Sequence, residues 1–141
     1  MKTINILLIE DDPLDVISIR RNLDKLELQY MLNVAVNGER AIAYMDHLKD
    51  YRRTLPDLIL IDINMPRMNG FEFLNTIRNT SAYEKIKCFV LTGSNQIVDR
   101  ETAELLGISG YLVKPLKISD RKSMESMTLI ADMMKISATS S

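Results

Sequence analysis

The sequence predicts an α/β domain, five βα units forming a parallel five-stranded sheet with helices on both faces in a three-layer sandwich. Two observations carry this. Short apolar runs recur at residues 4–9, 32–36, 58–61, 88–92 and 111–113, each separated from the next by a segment long enough for a helix. Two of them, Ile6-Leu7-Leu8-Ile9 and Leu58-Ile59-Leu60-Ile61, are apolar without interruption, as parallel strands covered on both faces must be.

The elements follow in order. The first run is expected to be a central strand. Asp12-Pro13 then supplies a cap residue and a proline at the first helical position, with Val16, Ile19, Leu23 and Leu26 on one helical face. In the second run Leu32, Val34 and Val36 alternate with Asn33 and Ala35, which suits an edge strand. Asn37-Gly38 turns into a second helix with Ala41, Ile42 and Met45 inward, and residues 45–56 read as an extended helix and loop before the third, central strand. Asn69-Gly70 precedes Phe71, Leu74 and Ile77 at helical spacing. Cys88 in the fourth run reads as a small buried hydrophobe. Gly107 closes a fourth helix as its C′ residue, and the short fifth run is the other edge. Ser119 or Asp120 caps a last helix with Met124, Met127, Ala131 and Met134 inward as gap-filling core. The domain is expected over residues 1–136, with 137–141 a frayed polar tail.

Composition narrows the function classes. The 141 residues are 46% hydrophobic and 26% charged, enough for one folded domain and too few for two. Eighteen basic against nineteen acidic side chains leave a net charge of −1, so direct nucleic-acid binding is not expected. Glu10, Asp11 and Asp12 interrupt the only N-terminal apolar stretch, so neither a signal peptide nor membrane insertion is expected, and a cytoplasmic location is the default. One cysteine allows no internal disulfide.

In an open parallel sheet the reactive crevice lies at the carboxyl ends of the strands. Glu10-Asp11-Asp12 end the first run, Asp62 the third, Thr92 the fourth and Lys114 the fifth. Two or three carboxylates in one cleft repel one another, and without a cation one of them holds a proton. A divalent ion resolves that conflict; Mg²⁺ takes oxygen ligands and keeps several waters, so two carboxylates, a backbone carbonyl and a phosphate oxygen suffice. An ionised Asp62 can then attack a phosphoryl group to give an acyl phosphate, with Lys114 as a point charge and Thr92 as a hydroxyl donor for the transferred oxygens. Asp12 reads as a helix cap rather than a third ligand, and His47 as part of a solvated helical face.

The motifs Ile9-Glu10-Asp11-Asp12-Pro13, Asp62-Ile63-Asn64-Met65-Pro66 with Gly70, Val90-Leu91-Thr92-Gly93 and Val113-Lys114-Pro115 together resemble the receiver domains of bacterial two-component response regulators, over residues 4 to about 135. The resemblance implies a flavodoxin-like sheet of order 2-1-3-4-5 and a cis peptide at Lys114-Pro115. It implies Asp62 as phosphoacceptor, and Glu10, Asp11, Asp62 and the Asn64 main-chain carbonyl as the Mg²⁺ set. Relatives often carry two aspartates where this chain has Glu10-Asp11, so Glu10 acts either directly or through water. Thr92 and Lys114 contact the phosphoryl group, and Thr92 with Tyr111 forms the switch.

The function expected is that of a stand-alone response regulator in a phosphorelay, not an enzyme beyond phosphotransfer to, and hydrolysis from, its own Asp62. A sensor histidine kinase or phosphotransfer protein supplies the phosphoryl group, and the modified state signals through protein contacts, including self-association through the face of the fourth helix, fifth strand and fifth helix. Too few residues follow Lys114 for a helix-turn-helix effector. The regulators that partner bacterial phytochromes are a narrower likeness. Two other classes stay open. An aspartyl-nucleophile Mg²⁺ phosphatase would place a second carboxylate two residues after the nucleophile, where this chain has Asn64, and sustained phosphomonoester turnover would reveal it. A scaffold that is never phosphorylated conflicts with the set Asp11, Asp62, Thr92 and Lys114.

Overall fold

Strands form where branched and apolar side chains can be covered on both sides, and helices where an asparagine or aspartate can cap the first turn. The computed structural model describes residues 3–26, 28–63, 68–93 and 100–114. They form β1 (Ile4–Ile9), α1 (Pro13–Asp24), β2 (Tyr30–Ala35), α2 (Gly38–Asp50), β3 (Leu58–Asp62), α3 (Gly70–Arg78), β4 (Lys87–Gly93), α4 (Arg100–Leu105) and β5 (Gly110–Lys114). All strands are parallel, in the order β2-β1-β3-β4-β5. The expected strand order and edge positions are therefore found. The expected last helix and polar tail lie outside the described residues.

Alternation along the strands divides the core in two. Ile6, Leu8, Leu60, Phe89, Leu91 and Leu112 pack with Ile19 and Leu23 of α1 on one face. Leu7, Ile9, Ile59, Ile61, Cys88 and Val90 pack with α2 and α3 on the other. Every residue of β3 is buried.

Asp12 caps α1 as expected, and Asn37 and Asn69, read from the sequence as turn residues, cap α2 and α3. Asp12 Oδ1 accepts the Leu14 N–H at 2.9 Å, Asn37 Oδ1 that of Arg40 at 2.8 Å, and Asn69 Oδ1 that of Glu72 at 2.9 Å. Gly107 has φ +64°, the left-handed conformation of a C′ residue, and its N–H reaches the Glu104 carbonyl at 3.0 Å. At the end of α2 the same motif is made without glycine: Arg52 sits at φ +55°, with Arg52 N–H on Lys49 O at 3.1 Å and Arg53 N–H on Leu48 O at 2.7 Å. Arg78 ties the end of α3 to its surroundings, donating to Leu106 O at 2.7 Å, Ile86 O at 2.8 Å and Glu84 O at 2.9 Å.

Two local expectations shift. β2 starts two residues earlier than the apolar run, and Val34 and Val36 are exposed while Ala35 is buried, because an edge strand is only partly covered by its neighbours. In α3, Phe73 is fully buried and Phe71 only half-buried. Among the described residues, no helix is long and apolar enough to cross a membrane.

Candidate functional site

The register of the sheet decides which side chains meet. Ile9 lies level with Ile61, and Asp62 level with Leu91, which is level with Leu112. Because side chains alternate, Glu10, Asp62 and Lys114 all continue the α1-side face beyond its apolar layer. The carboxyl ends of β1, β3 and β5 thus deliver two acids and one base to a single spot.

There the Lys114 Nζ lies 3.0 Å from Asp62 Oδ2, 3.1 Å from Glu10 Oε1 and 2.9 Å from Asp15 Oδ2. Glu10 is 1% exposed and Asp62 4%, so these charges sit where water screens them weakly. Asp11 is exposed, yet one carboxylate oxygen each from Glu10, Asp11 and Asp62 lies within 4.8 Å of the others. Burial, followed by hydrogen bonding with Asp62 and Asp15, raises the Glu10 carboxyl to about 9. The crowding of acids thus favours a proton on Glu10 unless a cation shares the site. Burial alone would also raise Asp15, but its hydrogen bonds with Lys114 and Glu10 and the ammonium charge outweigh that and hold it below the usual aspartate range. For Lys114, burial works against the charge, and hydrogen bonds to Asp15, Asp62 and Glu10 more than restore it, so its pKa is raised.

The second carboxylate oxygen of Glu10 is buried and accepts no hydrogen bond from the described residues. A buried acceptor left open beside two further carboxylates is a donor set that fits a hard divalent cation.

The structure brings together Glu10, Asp11, Asp62 and Lys114 as the sequence suggested. Thr92 is placed differently. It is buried, one residue beyond the partner of Asp62, and by register its side chain belongs to the opposite sheet face; its hydroxyl donates to the Gly93 carbonyl at 2.9 Å. Tyr111, level with Val90, is on that same face and packs half-buried against the α2–α3 cluster. Asn64 and the Lys114-Pro115 peptide lie outside the described residues. Asp12 is the α1 cap, and His47 is exposed and packs at a tilt against Tyr51 with ring centroids 4.5 Å apart. The residue that sequence reading missed is Asp15. An acid in the first turn of a helix ordinarily signals complementarity to the helix dipole. The usable signal was that this particular turn follows directly on the acidic end of β1.

A doubly wound sheet of this order, with carboxylates and a lysine gathered at the carboxyl ends of β1, β3 and β5, defines a flavodoxin-like receiver architecture. The chain belongs to the response regulator receiver domain family, whose pattern matches residues 6–124. It is 36% identical over 115 residues to the nitrate/nitrite response regulator protein NarL of Escherichia coli, covering 82% of this chain and 50% of that one. The chain thus spans about half the length of that relative. It is 29% identical over 116 residues to response regulator Rcp1 of Synechocystis, covering 82% of this chain and 79% of Rcp1. Among solved structures, a two-component response regulator from Legionella pneumophila superposes with a TM-score of 0.72 at 34% identity, covering 92% of this chain and 98% of that one. The Mn²⁺-bound form of Rcp1 also gives 0.72, at 27% identity, with 89% and 90% covered.

Proposed function

We propose that the chain is a stand-alone response regulator that accepts a phosphoryl group on Asp62 from a histidine kinase or phosphotransfer protein, in a Mg²⁺-dependent reaction, and signals by protein contacts. The observation that carries the reading is the convergence of Glu10, Asp11 and Asp62 within 4.8 Å with the Lys114 ammonium 3.0 Å from Asp62. The stand-alone reading is supported by the 98% and 90% of the Legionella and Rcp1 chains that this chain covers.

Glu10, Asp11 and Asp62 would hold the ion, with the Asn64 carbonyl as the further ligand that the family resemblance implies. Bound there, Mg²⁺ would neutralise the crowded carboxylates and the incoming phosphoryl oxygens; that Rcp1 was solved with Mn²⁺ supports this choice of hard cation. An Asp62 oxygen forms a bond to phosphorus as the phosphorus–nitrogen bond of the kinase phosphohistidine breaks, and the ring, protonated on its other nitrogen, leaves as neutral imidazole. Lys114 stabilises charge on the transferred oxygens from its position beside Asp62. Thr92 turns its hydroxyl from the Gly93 carbonyl toward the phosphoryl group, where the bond is charge-assisted. Tyr111, on the same sheet face as Thr92, moves into the space released. Phosphorylation then favours a pre-existing arrangement of the surface around α4 and β5, where self-association or partner binding strengthens.

Intact mass after incubation with acetyl phosphate tests the core of this reading. Wild type is expected to gain one phosphate with Mg²⁺ and none in EDTA, and Asp62→Asn none in either. A phosphate on the asparagine variant would falsify the acceptor assignment; a gain in EDTA would remove the metal. A phosphotransfer screen against the histidine kinases of the source organism then identifies the donor.

A further inference from the structure

We infer that Asp15 is a positioning residue: it holds the Lys114 ammonium at the α1 rim of the site, keeping it beside Asp62 while giving its charge an acceptor outside the carboxylate trio that would take the metal. The inference rests on the phosphoacceptor reading above and goes beyond it, because Asp15 belongs to none of the motifs through which the chain resembles its family.

The geometry is a competition. An ammonium has three donors, and those of Lys114 meet three carboxylates, Asp15 at 2.9 Å, Asp62 at 3.0 Å and Glu10 at 3.1 Å. Glu10 and Asp62 also belong to the trio that converges within 4.8 Å, and Asp15 does not. A divalent cation on that trio and an ammonium on the same two carboxylates repel each other. Asp15 gives the ammonium an acceptor outside the trio. It is also the one partner of the three that the reaction leaves unchanged: in the phosphorylated protein an Asp62 oxygen is bonded to phosphorus, and Glu10 faces the cation. With Asp15 as its fixed anchor on α1, Lys114 stays within reach of the phosphoryl oxygens throughout. The Asp15 and Lys114 side chains are 27% and 18% exposed, so the pair is drier than an ordinary surface ion pair and worth more.

If Asp15 were only the first-turn acid of α1, its removal would alter helix stability and leave metal affinity alone. If it bound the cation itself, its removal would weaken metal binding whether or not Lys114 were present. A double-mutant cycle separates these. Mg²⁺ is titrated calorimetrically into the full chain for wild type, D15N, D15E, K114A and D15N/K114A, with thermal melts confirming that each folds, and D15S replacing D15N should the amide prevent folding. D15N is expected to raise the Mg²⁺ Kd about 3- to 10-fold, and D15E to retain most of the wild-type affinity. In the K114A background, which itself binds Mg²⁺ more tightly, the same Asp15 substitution is expected to change Kd by less than about twofold. Equal losses in both backgrounds, or no loss in D15N, overturn the positioning role. A wild type that takes up no Mg²⁺ overturns the phosphoacceptor reading and this inference together, whereas failure of the cycle alone leaves that reading standing.

Discussion

Gly70 opens α3 with its backbone pressed against the end of β3, at Ile63 and the carbonyl of Asp62 itself. A Cβ built there lies 2.6 Å from Ile63 Cα, 3.0 Å from Ile63 Cγ2 and 3.1 Å from the Asp62 carbonyl oxygen. Ordinary contact begins near 3.4 Å, so Gly70→Ala forces the strand end and the helix apart by about 0.8 Å, and both are backbone packed in the core. Overpacking of this kind costs about 1–3 kcal/mol. Better helix propensity returns less than about 1 kcal/mol of it. The expected loss is therefore about 1–2 kcal/mol, together with a displaced Asp62 and a rate of phosphorylation by acetyl phosphate lower by about tenfold or more. Gly38 supplies the control. Its added Cβ would first meet the Met68 side chain, at Sδ 2.9 Å, Cγ 3.0 Å and Cβ 3.1 Å; the flexible Sδ and Cγ can turn aside and the Cβ need give only a few tenths of an ångström, so Gly38→Ala should cost less than Gly70→Ala and leave the rate alone. Urea unfolding with an unchanged m-value measures the first quantity, and intact mass over time the second. If both variants were equally stable and equally fast, close approach at Gly70 would not be what sets the end of β3.

Three further outcomes are expected. The folded pKa of Glu10, about 9 against an ordinary 4.5, lies above its unfolded value, so its contribution to stability is complete below about pH 4.5 and lost as pH rises to about 9; the raised Lys114 and lowered Asp15 do not oppose this, since their contributions change above 10.5 and below 3.8. Melts in EDTA from pH 5 to 9 should therefore show Tm falling in wild type and a flatter profile in Glu10→Gln, and a wild-type Tm that rises over this window would contradict the buried, protonated Glu10. Arg52→Gly should stabilise the chain by about 0.5–1 kcal/mol, because Arg52 is exposed at φ +55° and glycine adopts that conformation without strain; a lower urea midpoint would count against it. Thr92→Ala should still take phosphate on Asp62 yet lose most of the change in association produced by a beryllofluoride mimic, as read by sedimentation; an undiminished shift would remove Thr92 from the coupling.

What could be read from the sequence, and what could not, divides along one physical line. Strand existence and central or edge position depend on local burial, so Leu58-Ile59-Leu60-Ile61 announced a central strand, and Asp62 and Lys114 were found by being the first polar residues past apolar runs; the full strand order came from the family resemblance. Position relative to other elements depends on register and helix phase, which a single segment does not encode. Phe71 and Phe73 are equally apolar, and only the packing of α3 on the sheet buries Phe73. Asp15 meets Lys114 because α1 packs on the sheet face to which Lys114 belongs, a fact of packing rather than of residues 12–16. The same holds for Thr92. Its place at the end of an apolar run suggested a hydroxyl aimed at Asp62, but the β3–β4 register puts it one residue beyond the acid and on the other face, with Tyr111. That displacement has a mechanical consequence for the proposed switch. A signal from the phosphoryl group to Tyr111 has to cross from the α1 side of the sheet to the α2–α3 side, and it can do so only over the end of a strand, where no neighbouring strand blocks a side chain from turning. Thr92 stands beside such an end: β3 stops at Asp62, level with Leu91, so Thr92 is open on that side while Val113 of β5 pairs with it on the other. A short, buried side chain whose present hydrogen bond is to its own neighbour's carbonyl can exchange that bond for one to the phosphoryl group without disturbing the sheet, and whatever space it leaves opens on the face that Tyr111 occupies.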